Sequence, residues 1–310
     1  GAAVYQCIPD RPGSGHGYGS QMLRQQQQKD SHEWHEDLFE RYRGMPDICR
    51  IFSDDHTGKD PAVRQRKAKD LDKRLQECSD YIVPLPEDGG RSYGEIGSKD
   101  PNFQSPEHEA ALRQLWKACF PRQRELYLEI GCGKGDFITQ KAAKDPASDF
   151  LAIEGQETVI LRALEKAKGL TSEELPDEAG REPLQNLKFM LTFVDHMSDY
   201  FLENQLSGVY LNFSDPWPKA RHAKRRLTYR KRLLDYGWAV RPGGFIEIKT
   251  DNDPLYAFTL EELEAVGYEI VEQTADLHHS DYAARLVMTE YEKKFHSRGK
   301  NINYVKALVP

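Results

Sequence analysis

From residue 124 to the end of the chain, short apolar runs alternate with segments of helical periodicity. The apolar runs predict strands at 126–130, 150–153, 187–194, 208–215, 245–249, 268–273 and 304–308. The segments between them predict helices at 136–143, 157–168, 200–206, 230–240 and 255–266. Because a helix between two strands makes a crossover connection, most consecutive strands should lie parallel. The alternation therefore predicts an α/β fold with a mostly parallel sheet and helices on both faces.

Residues 1–62 differ in composition from the rest of the chain. They contain glycine- and proline-rich turns and a glutamine run at 25–28, with few apolar residues to bury. We interpret them as a low-complexity N-terminal extension of unknown role. The remaining sequence, 63–310, is predicted to form one domain, with a basic helical segment at 63–120 and a catalytic core at 121–310.

The composition of the chain limits where the protein can be located and which kinds of binding site it can contain. No stretch approaches the roughly 18 apolar residues that a membrane helix requires, so no membrane association is predicted. The five cysteines are scattered and include no Cys-x-x-Cys pair, which argues against disulfides and structural zinc and favours a reducing cytoplasm. No metal site is predicted. The net charge of −7 is unusual for a nucleic-acid-binding protein, but the basic residues cluster at 219–232.

A glycine turn follows the first predicted strand, and acidic residues lie at successive strand ends. In the turn, residues 129–135, Gly131 and Gly133 allow the backbone to approach a ligand closely. Glu154 is placed to accept hydrogen bonds from ribose hydroxyls, and Asp195 to meet an adenine amino group. Ligands bind at the carboxyl ends of strands in open α/β sheets, so a nucleotide cofactor is predicted here. Alternatively, each acid caps a helix or pairs with a nearby cation.

The glycine spacing discriminates between cofactors. Dinucleotides bind a G-x-G-x-x-G turn, whereas here the spacing is G-x-G-x-G, with Glu129 before the turn and Asp136 directly after it. Two carboxylates would repel a pyrophosphate but suit a ligand with an ammonium and a sulfonium group. S-adenosylmethionine is therefore favoured over a dehydrogenase cofactor, which stays an alternative if the turn binds pyrophosphate.

The stretch 211–226 forms a stiff corner at the end of the fourth predicted strand. Asp215 ends the apolar run, and Pro216 and Pro218, which restrict the backbone, flank Trp217. A basic run follows, comprising Lys219, Arg221, Lys224, Arg225 and Arg226. We interpret the corner as a base-binding site beside a phosphate-binding run. A loop followed by a solvated charged surface is the alternative.

These motifs together resemble those of the bacterial tRNA (guanine-N7)-methyltransferase family, which modifies guanine 46 in the tRNA variable loop. The resemblance covers about residues 63–310 and lies in the segments 129–135, 153–164, 210–227, 249–251 and 289–295. It implies a Rossmann-like S-adenosylmethionine-dependent methyltransferase fold, a tRNA partner and no obligate protein partner. In two places the chain departs from the family: Gly155 stands where a larger residue is more usual, and residues 1–62 have no counterpart.

The resemblance also implies roles for individual residues. The cofactor site would consist of Glu129, Gly131, Gly133, Glu154, Asp195 and Asp215. The substrate site would consist of Lys219, Asp251, Thr289, Glu290, Tyr291 and Glu292. Weaker contacts to the RNA backbone would come from Arg221, Lys224, Arg225 and Arg226, of which one or two are expected to be structural instead.

Guanine N7 carries a lone pair and no proton, so direct in-line displacement of the methyl group needs no general base. Asp215 is assigned a catalytic role in stabilising the positive charge that the guanine acquires, although it would also suit hydrogen bonds from guanine N1–H and N2–H. Trp217 is either a stacking platform or a corner-packing residue. Two rivals to this function are methylation of an exocyclic amino group and RNA binding with a vestigial cofactor pocket.

Overall fold

The computed structural model describes residues 69–85, 102, 104–170 and 182–310. Its strands form one seven-stranded sheet in the order β3-β2-β1-β4-β5-β7-β6. The strands are β1 (Leu126–Ile130), β2 (Asp149–Glu154), β3 (Leu187–Leu191), β4 (Leu206–Asn212), β5 (Val240–Thr250), β6 (Glu269–Thr274) and β7 (Asn303–Leu308). The α-helices in the same residues are α1 (Leu71–Glu77), α2 (Pro106–Cys119), α3 (Asp136–Lys144), α4 (Glu157–Lys168), α5 (Arg230–Ala239), α6 (Asp253–Ala265) and α7 (Glu290–His296).

Strands β1 to β5 run parallel to one another, and β7 lies antiparallel between β5 and β6. Apolar side chains pack on both faces of this sheet. One cluster joins the sheet to α2, α5 and α6, and a second cluster joins the opposite face to α3 and α4. The predicted α/β class, with a mostly parallel sheet and helices on both faces, is therefore confirmed.

The segment after α1 protects the outer edge of β3. Ile82 forms a parallel bridge with Phe189, and the Val83 amide donates to the Phe189 carbonyl at 2.8 Å. Arg74 of α1 pairs with Glu165 of α4 at 2.6 Å. Part of the predicted basic segment therefore covers the edge of the sheet, because it forms hydrogen bonds with backbone groups of the edge strand β3. The predicted extension at 1–62 lies outside the described residues.

Several predicted boundaries were wrong. No helix spans 200–206: a short 3₁₀ turn occupies Met197–Asp199, and β4 already begins at Leu206. Strand β3 ends at Leu191 and β4 at Asn212, earlier than predicted. Strand β5 begins at Val240, because Gly243 takes a φ of 75° and its amide bonds to the Val309 carbonyl, so the Arg-Pro-Gly-Gly run stays within the sheet. None of the helices in the described part of the chain combines the length and apolarity needed to cross a bilayer.

Candidate active site

The carboxyl ends of β2, β1, β4 and β5 meet at one edge of the sheet. Glu129 lies opposite Tyr210 on β4, and Ile130 lies opposite Ile153 on β2. Farther along the edge, Asn212 lies opposite Lys249 on β5. Adjacent parallel strands end side by side. This edge therefore carries the glycine turn, Glu154, the proline corner and Asp251.

The glycine turn joins β1 to α3 and uses its glycines in two ways. Gly131 and Gly133 have φ values of 75° and 57°, and a Cβ atom at either position would meet no heavy atom within 4 Å. A Cβ at Gly135 would overlap Ala163, so this glycine allows α3 to pack closely against α4. The first two glycines thus leave room above the turn for a ligand, whereas the third serves packing.

Glu154 is held in place by two backbone amides. Its Oε2 accepts from the Gly133 amide and its Oε1 from the Gln156 amide, each at 3.1 Å. A carboxylate has about four acceptor positions, so each oxygen can accept one further hydrogen bond. Glu154 is therefore oriented and still able to bind two hydroxyl groups.

Glu129 has the least satisfied carboxylate at this edge. Its side chain is 2 % exposed, and Oε1 accepts from Asn212 Nδ2 at 2.8 Å. Oε2 is buried and has no hydrogen-bond partner in the described structure. Burial raises the pKa of Glu129 to about 7. A buried carboxylate oxygen of this kind is suited to a ligand that brings a donor and a positive charge.

Asp136, by contrast, is paired within the protein. Its oxygens lie 3.5 Å from Lys166 Nζ on α4 and 3.6 Å from Lys293 Nζ on α7. Both predicted carboxylates flank the turn, but the charge of Asp136 is offset by these two lysines. The electrostatic preference for a cationic ligand rests on Glu129, whose carboxylate forms no ion pair of its own among the described residues, although the nearby Lys249 lowers its pKa in part.

Asp195 does not lie at a strand tip, because β3 ends at Leu191. Its carboxylate is 3.6 Å from the Arg232 guanidinium and is half exposed. Arg232 also donates to the carbonyls of Val194 and Asp195, at 2.8 and 2.7 Å. This loop thus connects to α5, and the predicted adenine contact would have to compete with that ion pair.

The proline corner after β4 is fixed by Arg226. Phe213 and Trp217 take positive φ values of 52° and 41°. The Arg226 guanidinium donates to the Pro216 carbonyl at 2.9 Å and to the Trp217 carbonyl at 3.2 Å, and it stacks on Phe258 at 4.3 Å. Arg226 therefore holds the corner through main-chain carbonyls.

The side chains of the corner differ in their exposure and in their contacts with the rest of the protein. Asp215 is exposed, and no side-chain hydrogen bond or ion pair to it is found among the described residues. The Trp217 ring packs against the Arg225 guanidinium at 5.0 Å and against His222. Contact with its own chain favours the corner-packing role for Trp217. Three further basic side chains in the run are exposed: Lys219, Arg221 and Lys224.

On the other side of β4, Asp251 and Tyr291 approach each other. Burial and the nearby Asp251 carboxylate, which is hydrogen-bonded to the phenol, raise the pKa of Tyr291. The Tyr291 ring packs between Phe213 and Phe295, at 4.9 and 4.3 Å, yet the residue is 44 % exposed. Asp251 and Tyr291 thus form a joint surface of acid and aromatic ring beside the corner.

Thr289 and Glu292, which the sequence assigned to the substrate, are buried and bonded within the protein. They form a capping box at the start of α7: Thr289 accepts from the Glu292 amide at 2.9 Å, and Glu292 from the Thr289 amide at 3.2 Å. Glu292 also pairs with the fully buried Lys249 at 3.1 Å. Glu290 begins the helix, and its side chain lies outside the described structure.

Sequence reasoning assigned no role to Asn212, Lys249 or Phe193. Asn212 donates to Glu129, Lys249 anchors Glu292, and Phe193 lies beside Glu154 at the neighbouring Gly155. The sequence contains a signal for Asn212 and Lys249, because each is a polar residue at the end of a buried strand. Phe193 follows β3 without any pattern to mark it.

Comparison with known proteins places these features in a family. The profile of a family described as "Putative methyltransferase" matches residues 123–305. The chain is 41 % identical over 203 residues to the tRNA (guanine-N(7)-)-methyltransferase of Latilactobacillus sakei, covering 66 % of this chain and 88 % of that protein. It is 46 % identical over 185 residues to the protein of the same name from Mesoplasma florum, covering 59 % and 80 %.

The solved structures that match this chain are more distant. An antibiotic-related methyltransferase matches with a TM-score of 0.45 and 15 % identity, over 63 % of this chain and 92 % of that one. The 16S rRNA methyltransferase KamB matches with a TM-score of 0.44 and 13 % identity, over 67 % and 95 %.

Proposed function

The chain belongs to the tRNA (guanine-N(7)-)-methyltransferase family, and from this premise we propose that it methylates N7 of a guanine in the variable loop of tRNA, position 46. The observation that carries the proposal is the arrangement at one sheet edge: an unsatisfied buried Glu129, an oriented Glu154 and an exposed Asp215.

The donor side of the site fits S-adenosylmethionine, which supplies a methyl group on a positively charged sulfur. Glu129 Oε2 would bind its ammonium group, and Glu154 would bind the ribose hydroxyls. Gly131 and Gly133 leave the necessary space above the turn. Asn212 orients Glu129 through its 2.8 Å hydrogen bond. Asp195 stays a proposed cofactor contact, made by the part of its carboxylate that does not face Arg232.

The acceptor side would be formed by the proline corner and α7. Guanine N7 needs no base to create its lone pair, so these residues act mainly by positioning, which can contribute about 7–11 kcal/mol in favourable cases. Asp215 stabilises the positive charge that develops on the purine. Asp251 and the exposed ring of Tyr291 offer an acceptor and a stacking surface for the base. Thr289, Glu290 and Glu292 position this surface by starting α7.

The exposed Lys219, Arg221 and Lys224 would contact the tRNA backbone, together with the free edge of Arg225. The target guanine is in a loop, where an unstacked base can be presented to a pocket. We infer no obligate protein partner, because cofactor and substrate residues all come from this chain. We propose the cytoplasm as the location, since that is where the tRNA substrate is found.

The test is transfer of labelled methyl from S-adenosylmethionine to unmodified tRNA, followed by digestion and nucleoside analysis. We expect the label in 7-methylguanosine, and its absence from a tRNA in which guanine 46 is replaced by adenine. Label in an amino-methylated nucleoside would overturn the proposed target atom. A chain that binds S-adenosylmethionine but transfers no methyl group to any tRNA would overturn the substrate.

A further inference from the structure

Phe193 has an unusual environment for an aromatic side chain. It is 72 % exposed, the highest value among the large hydrophobic residues of the described structure. The far edge of its ring lies on Gly155, so close that a Cβ atom at that glycine would overlap the ring. Gly155 directly follows Glu154, and Phe193 comes two residues after Leu191, the register partner of Glu154 on β3. The ring therefore bridges the tips of β2 and β3.

The strand order determines which part of a nucleotide ligand would reach this ring. Glu129 on β1 offers an unsatisfied oxygen for an ammonium group, and Glu154 on β2 is oriented for ribose hydroxyls. A ligand that spans these two acids extends from β1 towards β2. Its base, attached to the far side of the ribose, would then continue towards β3, which is the next strand in the sheet. Phe193 is the apolar surface found there.

We propose that Phe193 forms the adenine-binding wall of the cofactor site, filling the volume that Gly155 leaves free; this inference rests on the proposed function. A purine placed against the ring buries an aromatic surface that is otherwise in water, and base–aromatic contacts of this kind are sequence-tolerant and favourable. The glycine and the phenylalanine act as a pair: the missing side chain at 155 is what admits the ring. A larger residue at 155 would itself supply the apolar wall and displace Phe193.

The exposure of Phe193 also makes the pair testable without unfolding the protein. A side chain this exposed contributes little to the core, so Phe193→Ala should leave the thermal midpoint nearly unchanged. The experiment is calorimetric titration of the full chain with two ligands. S-adenosylhomocysteine carries adenine, ribose and the ammonium group, whereas 5′-methylthioadenosine lacks the amino-acid end.

We expect Phe193→Ala to raise the Kd of both ligands by the same factor, roughly tenfold or more, because both contain adenine. Phe193→Tyr should bind like the wild type. Glu129→Gln serves as the contrast: it should weaken S-adenosylhomocysteine much more than 5′-methylthioadenosine. In the double variant Gly155→Leu/Phe193→Ala, the leucine should recover part of the lost affinity, since it places apolar atoms where the ring edge lay.

Three results would overturn the inference alone, while wild-type binding still supports the proposed function. They are a Phe193→Ala variant that binds both ligands within twofold of the wild type, a loss confined to S-adenosylhomocysteine, and no recovery in the double variant. A wild-type chain that binds neither ligand would instead overturn the proposed cofactor and this inference with it.

Discussion

Glu129 and Glu154 carry the same chemical group at neighbouring strand ends, yet the protein treats them differently. Two backbone amides hold Glu154, whereas Glu129 has one donor for its two buried oxygens. The sequence predicts that both acids lie at this edge, because Glu129 is the next-to-last residue of one predicted strand and Glu154 directly follows another. It does not predict the difference, which depends on where the donors lie: Glu154 accepts from the amides of Gly133 and Gln156, whereas the one donor to Glu129 is the Asn212 side chain on β4.

The raised pKa of Glu129 predicts a pH dependence of cofactor affinity. Burial raises this pKa to about 7, so below that pH the folded protein holds a proton there. Because an ammonium group favours the ionised carboxylate, binding must release that proton. Affinity for S-adenosylhomocysteine should therefore rise with pH up to about 7, by at most about tenfold per unit, and then level off. Calorimetry from about pH 5.5 to 7.5 keeps the ligand's amino group mostly protonated and tests this.

The matched variant is Glu129→Gln, which cannot ionise. It should bind more weakly at about pH 7.5 and lose most of the pH dependence. By the same linkage, the unligated wild type should lose folding free energy between about pH 4.3, where an unfolded glutamate ionises, and about pH 7, where the folded Glu129 does. The glutamine variant lacks this loss and should be the more stable protein at about pH 7 and above. A wild-type affinity that stays flat with pH would contradict the assignment of the ammonium contact.

Substitution of Asp215 should lower the turnover rate and leave the stability of the fold unchanged. Its side chain is exposed and makes no ion pair within the described residues, so Asp215→Ala should change the free energy of unfolding by less than about 0.5 kcal/mol. Loss of a preorganised charge near the reacting group typically lowers kcat by about 10²–10³-fold. Glu203→Ala removes an exposed carboxylate just before β4, at the other end of the strand, and should leave kcat unchanged. Full turnover of Asp215→Ala at saturating tRNA would refute its role.

Among the helices and strands, the pattern of apolar residues predicted the bounds correctly where a segment is regular. Strand β1 and helix α4 have the predicted bounds, because a buried strand and an amphipathic helix each have their own periodicity. The predictions failed where backbone geometry prevails over pattern, as at Gly243 within β5. Helix α7 was missed although its Thr-x-x-Glu capping box is readable, since that segment was interpreted only as a substrate motif.

The buried pair Lys249–Glu292 should be the main anchor of α7. Both side chains are almost fully buried, and Lys249 also donates to the Val287 carbonyl at 2.6 Å. Glu292→Ala leaves a buried cation without its partner and should cost about 3–5 kcal/mol of unfolding free energy. Thr289→Ala removes only a cap and should cost about 1 kcal/mol. Denaturant unfolding without ligands measures both.

The control for this pair is Lys294→Ala, an exposed position on the same helix, which should stay within about 0.5 kcal/mol of the wild type. The alternative to an anchoring role is direct contact with tRNA. Unchanged stability of Glu292→Ala together with a raised KM for tRNA would support that alternative and refute the anchor.

At the scale of the whole molecule, we propose that the catalytic domain starts near residue 63. The family profile begins at residue 123, and the relatives from Latilactobacillus sakei and Mesoplasma florum match 66 % and 59 % of this chain. Deleting residues 1–62 should therefore leave kcat and KM for tRNA within about threefold, a change of about 0.6 kcal/mol. Steady-state methyl transfer by the full and shortened chains measures this. A shortened chain that aggregates or turns over slowly would show that the extension belongs to the domain.

The overall charge of −7 should not prevent tRNA binding, because what matters is the number of phosphates contacted locally. If the exposed side chains after the corner contact phosphates, log K should fall with log salt by about 0.7–0.9 per contact. Arg221→Ala and Lys224→Ala should each flatten that slope by about one such increment. Arg226→Ala should mainly lower stability, since its guanidinium holds the carbonyls of the corner.

Fluorescence anisotropy with labelled, unmodified tRNA at several potassium chloride concentrations gives the slope directly. Lys144→Ala is the matched control: it removes an exposed cation at the far end of α3, which starts at the active-site edge and ends away from it. Its slope should equal that of the wild type. If Arg221→Ala and Lys224→Ala also gave the wild-type slope, the RNA backbone would bind elsewhere on the protein, and the corner would recognise only the base.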